Sequence, residues 1–422
     1  MSTTTRVLFV ATYPNQPIGY SKIANILSNA IAGIDNVNVY YFGFANFEGS
    51  RLVDRKIHPG IKFIDAAAEE KMLGNDELYG VNVISKFIDF IDPNYIFMYN
   101  DCIVISRLFN SINSGYLNKR KKSFKVIVYL DLVYDYQCPE YLQFIYDNSD
   151  KILVFSEHWK TNLRETLRDS REEYDNKVSV LHHGFNREVL SRLDKAECRD
   201  SLALDRDDFV ILNANRNSYR KAWDITFAAF LIFLKRYEYS PKIRLFVHAS
   251  MVSVCGYNFI RSIEIAGKAV GVPDSVIREK VLLRNIVMMA SESTNVSDEK
   301  INQLYNACDV GINTCIGEGF GLCNMEQAVL GMPQVVSRVG AFNDIFPDEE
   351  TVAPVVRYQV SSVADEHTGV AGIVSAADVA DKLDDIYQNY AVYKKKYEKI
   401  SKDMYDKYDW ARILPEVTSL FV

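Results

Sequence analysis

The stretch Asp309-Val-Gly-Ile-Asn-Thr-Cys-Ile-Gly317-Glu318-Gly319-Phe320-Gly321-Leu322-Cys323-Asn324-Met325-Glu326 decides how this chain reads. An apolar run, Val310–Cys315, predicts a strand, and Leu322–Leu330 predicts a helix. Between them stand Gly317, Gly319 and Gly321. Such a loop lets a backbone approach a ligand closely, and the free N–H groups of a helix that opens directly behind it favour an anion such as a diphosphate. Glu318 sits in the loop and Glu326 about one turn into the helix. Carboxylates repel phosphate, so their natural partners are hydroxyl groups. The ligand that fits has phosphates in its middle and hydroxyl-bearing rings at both ends. A plain tight turn with solvated glutamates is the bland alternative. A dinucleotide fingerprint is another, but it wants an acid at the end of the next strand to hold a ribose. Gln334–Ser337 runs into Arg338, which disfavours NAD and leaves NADP open.

Outward from this loop the pattern is strand, short loop, helix, repeated. Strands are expected at Phe209–Ala214, Lys242–Val247, Val281–Met289 and Gln334–Ser337, with helices at Ala222–Tyr237 and Asp298–Cys308. Before them, Arg6–Ala11, Val37–Phe42, Tyr95–Tyr99, Lys125–Leu130, Lys151–Phe155 and Val178–Leu181 read as a first series, with a helix at Ser21–Ile31. Apolar strands separated by helices mean parallel sheets covered on both faces, the doubly wound α/β class. The charged stretch Asn186–Asp208 reads as the connection between two Rossmann-like domains, 1–190 and 208–401. The chain from Ala376 onward reads as helical, with Trp410, Leu414, Val417 and Leu420 on a packing face.

The turn Leu212-Asn-Ala-Asn-Arg216-Asn-Ser-Tyr-Arg-Lys221 links the first strand and helix of the second series. In a doubly wound sheet it opens at the carboxyl edge, where ligands bind. Arg216 and Lys221 are suited to a diphosphate, Arg as a fork and Lys as a point charge. A solvated basic turn is the alternative.

Composition sets the limits. The 422 residues hold 48 Lys and Arg against 55 Asp and Glu, a net charge of −7, with 48% hydrophobic and 24% charged residues. At about 100–200 residues per domain this length predicts two or three folded domains. An acidic chain whose longest basic run is Lys119–Lys122 is not expected to bind nucleic acid, and at most peripheral membrane contact is expected. The N-terminus lacks a secretory pattern. The longest apolar run, Phe227–Leu234, is too short to span a bilayer. Seven cysteines without a C-x-x-C pair read as reduced, with no cysteine-based zinc site. A cytoplasmic location follows as the expectation.

Together, Glu318-x7-Glu326 within EGFGLCNME, the preceding DEKINQLYNACDVGINTC, the following AVLGMPQVVSRVGA and the Arg216…Lys221 turn resemble the retaining glycosyltransferases of family 4. The resemblance covers roughly 210–345 closely. It extends more loosely to the loop near Gly19, to Val180–Gly184 and to Tyr408-Asp409-Trp410. It implies the GT-B fold: two Rossmann-like doubly wound parallel-sheet domains facing a cleft, with a C-terminal helix, about 402–422, crossing back to the N-terminal domain. It also implies transfer of a mannose- or glucose-type hexosyl unit from a nucleotide sugar to an acceptor hydroxyl with retention.

Site roles follow from the resemblance. Glu326 would bind the donor ribose and Glu318 the donor sugar. Backbone around Gly319, Phe320, Gly321, Leu322 and Cys323 would contact sugar and distal phosphate. Arg216 and Lys221 would hold the diphosphate, Val287, Met288 and Met289 would lie against the nucleobase, and Gly19 would face the diphosphate. The family often has a double glycine where this chain has Gly19-Tyr20. It often has a histidine where this chain has Asp131, read here as orienting the acceptor or as a strand-end cap. No metal or other cofactor is expected. Asp205-Arg206-Asp207 precedes a strand, and adjacent His182 and His183 point to opposite faces. His248 ends a strand on the ligand edge. The expected partners are the nucleotide sugar, GDP-mannose slightly ahead of a UDP-hexose, and a glycan, glycoconjugate or small hydroxyl acceptor; the protein would be a monomer or homodimer. A non-catalytic nucleotide-sugar binder is the competing expectation.

Overall fold

A computed structural model describes residues 4–46, 52–75, 77, 79–112, 124–168, 172–250, 256–290, 296–346, 352–353, 355–361 and 368–422. The Lys119–Lys122 run and Cys255 lie outside them. The chain divides into two compact units. One comprises Met1–His183, Val360–Gly369 and Trp410–Val422; the other comprises Gly184–Gln359 and Val370–Asp409.

The first unit is built on β1 (Thr5–Thr12), β2 (Val37–Phe44), β3 (Lys62–Asp65), β4 (Tyr95–Asp101), β5 (Lys125–Asp131), β6 (Lys151–Val154) and β7 (Val178–Val180). Their order is β3-β2-β1-β4-β5-β6-β7 and every pair is parallel. Val7 to Ala11 are each at most 1% exposed, because a central parallel strand has both faces covered. The helix Gly19–Ala32 buries Ile23, Leu27 and Ile31, one stripe at helical spacing. The helix Trp410–Thr418 buries Trp410, Ile413 and Val417, and Phe421 just beyond sets its ring 5.3 Å from Tyr95 and 6.2 Å from Phe97. Leu414 and Leu420, expected on that face, are only half-buried. A spacing of three, four and four residues follows the 3.6-residue turn better than the expected set.

The second unit carries β8 (Phe209–Asn213), β9 (Ile243–Ala249), β10 (Ile286–Ala290), β11 (Val310–Asn313), β12 (Gln334–Ser337) and β13 (Val352–Ala353). They are ordered β10-β9-β8-β11-β12-β13, again all parallel. The helix Trp223–Arg236 buries Trp223, Phe227, Phe230, Leu231 and Leu234 and packs between the helices Phe259–Ala269 and Ala376–Gln388. Full burial of each such side chain contributes about 1.5–3 kcal/mol. At the amino edge Asp309 accepts from Arg199 at 2.6 Å and from the Val210 amide at 2.7 Å, locking the starts of β8 and β11 together. A two-stranded sheet, β14 (Val355–Ser361) and β15 (Thr368–Val374), completes the elements.

Two readings need correction. Val281–Met289 is not one strand: residues Ile277–Asn285 form a widened π-helical turn and only Ile286–Ala290 is extended. Asn285 explains the break, since its buried amide donates to the carbonyls of Ser240 and Ile243 at 2.7 and 2.8 Å. β3 goes unread in the sequence because Lys62-Phe-Ile-Asp is an edge strand of only four residues, none of them fully buried.

Both sheets reverse order next to their first strand, between β1 and β4 and between β8 and β11. Loops leaving the two strands beside such a reversal diverge and leave a crevice at the carboxyl edge. In the second unit those loops are the basic turn after β8 and the glycine loop after β11.

Candidate functional site

The turn after β8 and the loop after β11 are joined first by backbone: the Ile316 amide donates to the Arg220 carbonyl at 2.9 Å. Residues Tyr219–Lys221 make a single tight turn and Ala222 adopts a left-handed φ of 45°. That geometry carries the Lys221 side chain inward, where Lys221 is 7% exposed. Lys221 Nζ donates to Glu318 Oε2, and Arg220 Nη1 lies 3.7 Å from Glu318 Oε1 while donating to the Gly317 carbonyl. Arg216, the other expected cation, is exposed and makes no side-chain hydrogen bond or ion pair among the described residues. Arg220 is therefore the second cation beside Glu318. Its neighbour Lys221 was the only sequence signal for it.

Glu318 is 6% exposed. Burial alone pushes its carboxyl up, but the Lys221 and Arg220 cations, with hydrogen bonds from Lys221 and the Cys315 thiol, outweigh burial and hold it at about 2. It is a fixed anion at ordinary pH.

Gly317 and Gly319 are buried in the loop. Gly321 has φ 84°, and a Cβ there would sit 2.1 Å from Phe342 Cε1, so both backbone and space require glycine. The helix Leu322–Val329 then opens with no side-chain cap and no carboxylate in its first turn, an N-terminus with its positive end suited to an anion. Leu322 and Cys323 are half-buried there. The Phe320 ring faces the interior, 5.7 Å from the Tyr408 ring, which leaves only its backbone for ligand contact.

Glu326 is 5% exposed and accepts from Tyr305 Oη at 3.1 Å. Burial raises the Tyr305 phenol well above its ordinary value, with the Cys323 thiol and the Glu326 charge adding to the effect, so it stays protonated and donates. Nothing in the sequence marked Tyr305, which lies on the helix Asp298–Ala307. Val287, Met288 and Met289 are half-buried on β10, the edge strand of the sheet. His248 lies opposite Met289 in register, and burial lowers its imidazole, partly offset by a backbone hydrogen bond at Met289.

In the first unit Gly19 is exposed as the first residue of its helix, which has no side-chain cap and no acid in its first turn. Tyr20 Oη donates to Asp131 Oδ2, so the two positions where this chain departs from the family pattern touch one another. Burial, then the Asp131 charge, raise the Tyr20 phenol well above its ordinary value. Behind them His183 is 3% exposed. Tyr129 Oη donates to the Leu181 carbonyl at 2.9 Å, so His183 Nδ1, 2.7 Å away, supplies the proton between them. Nε2 then accepts from Tyr99 Oη at 3.4 Å. Burial, with the His182 charge, lowers His183 to about 3. His182 turns away to the Phe155 carbonyl. Asp205 of Asp205-Arg206-Asp207 pairs with Lys242 at 3.2 Å on the surface. Among the described residues no three His, Cys, Asp or Glu side chains group as a metal site would require, and no helix is long and apolar enough to cross a membrane.

Residues 288–417 match the model of the family described as "Family 4 Glycosyltransferase in conflict systems". The chain is 25% identical over 267 residues to the uncharacterized glycosyltransferase MJ1607 of Methanocaldococcus jannaschii, covering 62% of this chain. It spans 57% of that relative's length. Among solved structures it is similar to sucrose-phosphate synthase from Thermosynechococcus elongatus, with a TM-score of 0.72 at 15% identity over 99% of this chain and 98% of that one. It is also similar to HepE from Anabaena in complex with UDP-glucose, with a TM-score of 0.66 at 12% identity over 98% of both chains. The fold is GT-B: two Rossmann-like parallel-sheet units, each with its crevice at the carboxyl edge.

Proposed function

We propose that the protein is a retaining glycosyltransferase that moves a hexosyl unit from a nucleotide diphosphate sugar to an acceptor hydroxyl without a metal ion. One observation carries this reading. At the switch point of the second unit a buried, ionised Glu318 stands between Lys221 and Arg220, beside the uncapped N-terminus of the helix that bears Glu326 one turn further on. Cations and helix amides suit a diphosphate, and the two carboxylates suit hydroxyls on either side of it. The match to a glycosyltransferase family model and the glycosyltransferase named among the relatives support the same class.

In this reading Glu326, held by Tyr305, takes the ribose hydroxyls and Glu318 those of the donor sugar. The half-buried edge formed by Val287, Met288 and Met289 receives the base. Lys221, with Arg220 and the solvent-facing Arg216, neutralises the diphosphate, as do the amides of Gly319 to Cys323. The acceptor oxygen bonds to the anomeric carbon on the face from which the phosphate oxygen leaves, and the acceptor proton passes to that departing oxygen. Fixed cations aimed at the charge that develops there supply the main rate enhancement. Asp131 orients the acceptor hydroxyl. The donor sugar is of mannose or glucose type; family frequency favours GDP-mannose, while the Anabaena structure with UDP-glucose makes UDP-hexoses an equal first test.

Incubating the protein and its Glu318→Ala variant with GDP-, UDP- and ADP-sugars tests the reading. Turnover in the wild type with loss in E318A supports it, and NMR of the product must show the donor's anomeric configuration. Donor binding without turnover in either protein would make it a nucleotide-sugar binder instead, an outcome to which the Tyr20 phenol seated on Asp131 lends weight.

A further inference from the structure

Asn313, the last residue of β11, is 1% exposed. Its Oδ1 accepts from the Cys315 amide at 3.1 Å, and its Nδ2 donates to Asn324 Oδ1 at 2.9 Å. The second hydrogen on Nδ2 lies among Glu318 Oε2 at 3.4 Å and Asn215 Oδ1 at 3.5 Å, both acceptors.

Backbone groups at the ends of this chain decide which way round its amides sit. The Met332 carbonyl can only accept, so Gln334 gives it Nε2, at 3.1 Å, and turns Oε1 to Asn324. Asn324 gives that oxygen its Nδ2, at 2.8 Å, and turns its own Oδ1 to Asn313. At the other end the Cys315 amide can only donate and claims Asn313 Oδ1. Asn324 and Gln334 are 2% and 0% exposed, so water does not relieve a mismatch. Turning any one amide over would set two oxygens, or two N–H groups, face to face. The relay therefore has one polarity, and that polarity presents an N–H to Glu318.

We propose that Asn313 is a positioning residue for Glu318: the relay fixes a donor behind the carboxylate, keeping it ionised and aimed. This rests on the reading of Glu318 as the carboxylate that binds the donor sugar, and it deepens that reading by assigning a residue that, beside the two cations, holds the carboxylate in place. The groups facing Glu318 are Lys221 and Arg220 from the turn after β8, Cys315 from its own loop and Asn313 from β11. The two cations are side chains that an arriving diphosphate would also attract. Asn313 is held instead by a relay whose two ends are backbone.

Asn313→Asp is the informative variant. It keeps the size but sets a carboxylate against Glu318, which no sequence of amide flips can absorb. The titration of Glu318 in the folded protein is read without substrate, from the pH dependence of its side-chain carboxyl carbon shift by NMR, assigned by its absence from the Glu318→Gln partner of each background. The midpoint is expected at about 2 in the wild type and higher by about one unit or more in N313D. Asn313→Ser removes the N–H without adding charge and serves if N313D does not fold; a smaller upward shift is expected. With a nucleotide sugar that the wild type turns over, kcat/KM should fall at least ~10-fold in both variants, and the acid limb should move up with the midpoint. Midpoints within about 0.3 unit of wild type in both variants would overturn the assignment. Failure of the wild type to use any nucleotide sugar would overturn the donor reading instead, and the midpoint would still decide the role of Asn313.

Discussion

Lys221 Nζ donates to Glu318 Oε2 across 97 positions of sequence, joining the basic turn after β8 to the glycine loop after β11. Both side chains are less than a tenth exposed. Two charges withdrawn from water lose hydration that their contact must largely replace. Lys221→Met and Glu318→Gln should each destabilise the protein by about 3 kcal/mol or more, and the double variant by much less than the sum. Urea unfolding of the four proteins measures the coupling; additive losses would mean that the pair is not a unit.

His183 makes stability depend on pH. In the unfolded chain an imidazole takes a proton near 6.5, but the buried one resists until about 3. The unfolded state therefore binds more protons in that window, and stability falls as pH falls through it. The loss should reach on the order of 4 kcal/mol by pH 3. His183→Phe should flatten this slope in melting curves taken between pH 7 and 3.

Gly321→Ala strains a backbone at φ 84° and drives a methyl into the Phe342 ring. A cost of about 2–4 kcal/mol is expected. In Gly321→Ala/Phe342→Ala the steric part should be relieved and the backbone part should stay. Thermal unfolding separates the two.

Asp131→Asn tests the acceptor role. Transfer should fall at least ~10-fold while affinity for the nucleotide sugar is unchanged. Tyr20→Phe removes a hydrogen bond to a charged group and should cost roughly 1.5–3 kcal/mol of stability. Parallel donor-affinity and transfer assays on D131N decide the first point, and denaturation of Y20F the second.

The doubly wound class was legible because central parallel strands such as Val7–Ala11 are apolar on both faces and stand out as unbroken runs. Edge elements were not: Lys62–Asp65 is only four residues long with none fully buried, and Val281–Met289 concealed a helical turn that Asn285 closes through carbonyls 42 and 45 residues away. Within the site, residues tied to a local pattern could be read, as with the glycines, the two glutamates and Lys221. Arg220 and Tyr305 act through side chains that meet the glutamates only after the sheet has assembled, and Asn313, five residues from Glu318, is turned toward it by its bonds to Asn324 and the Cys315 amide. Tyr20 and Asp131 were each noticed as departures, but their contact spans 111 positions and had no local signature.

The most direct test of the central claim is a melting-temperature screen of the wild type and E318Q against GDP-, UDP- and ADP-sugars. A donor bound at one hundred times its Kd adds about 2.7 kcal/mol, a rise of several degrees. The account predicts such a rise with one nucleotide sugar in the wild type and its loss or marked reduction in E318Q. No rise with any of them, or an equal rise in both proteins, would contradict it.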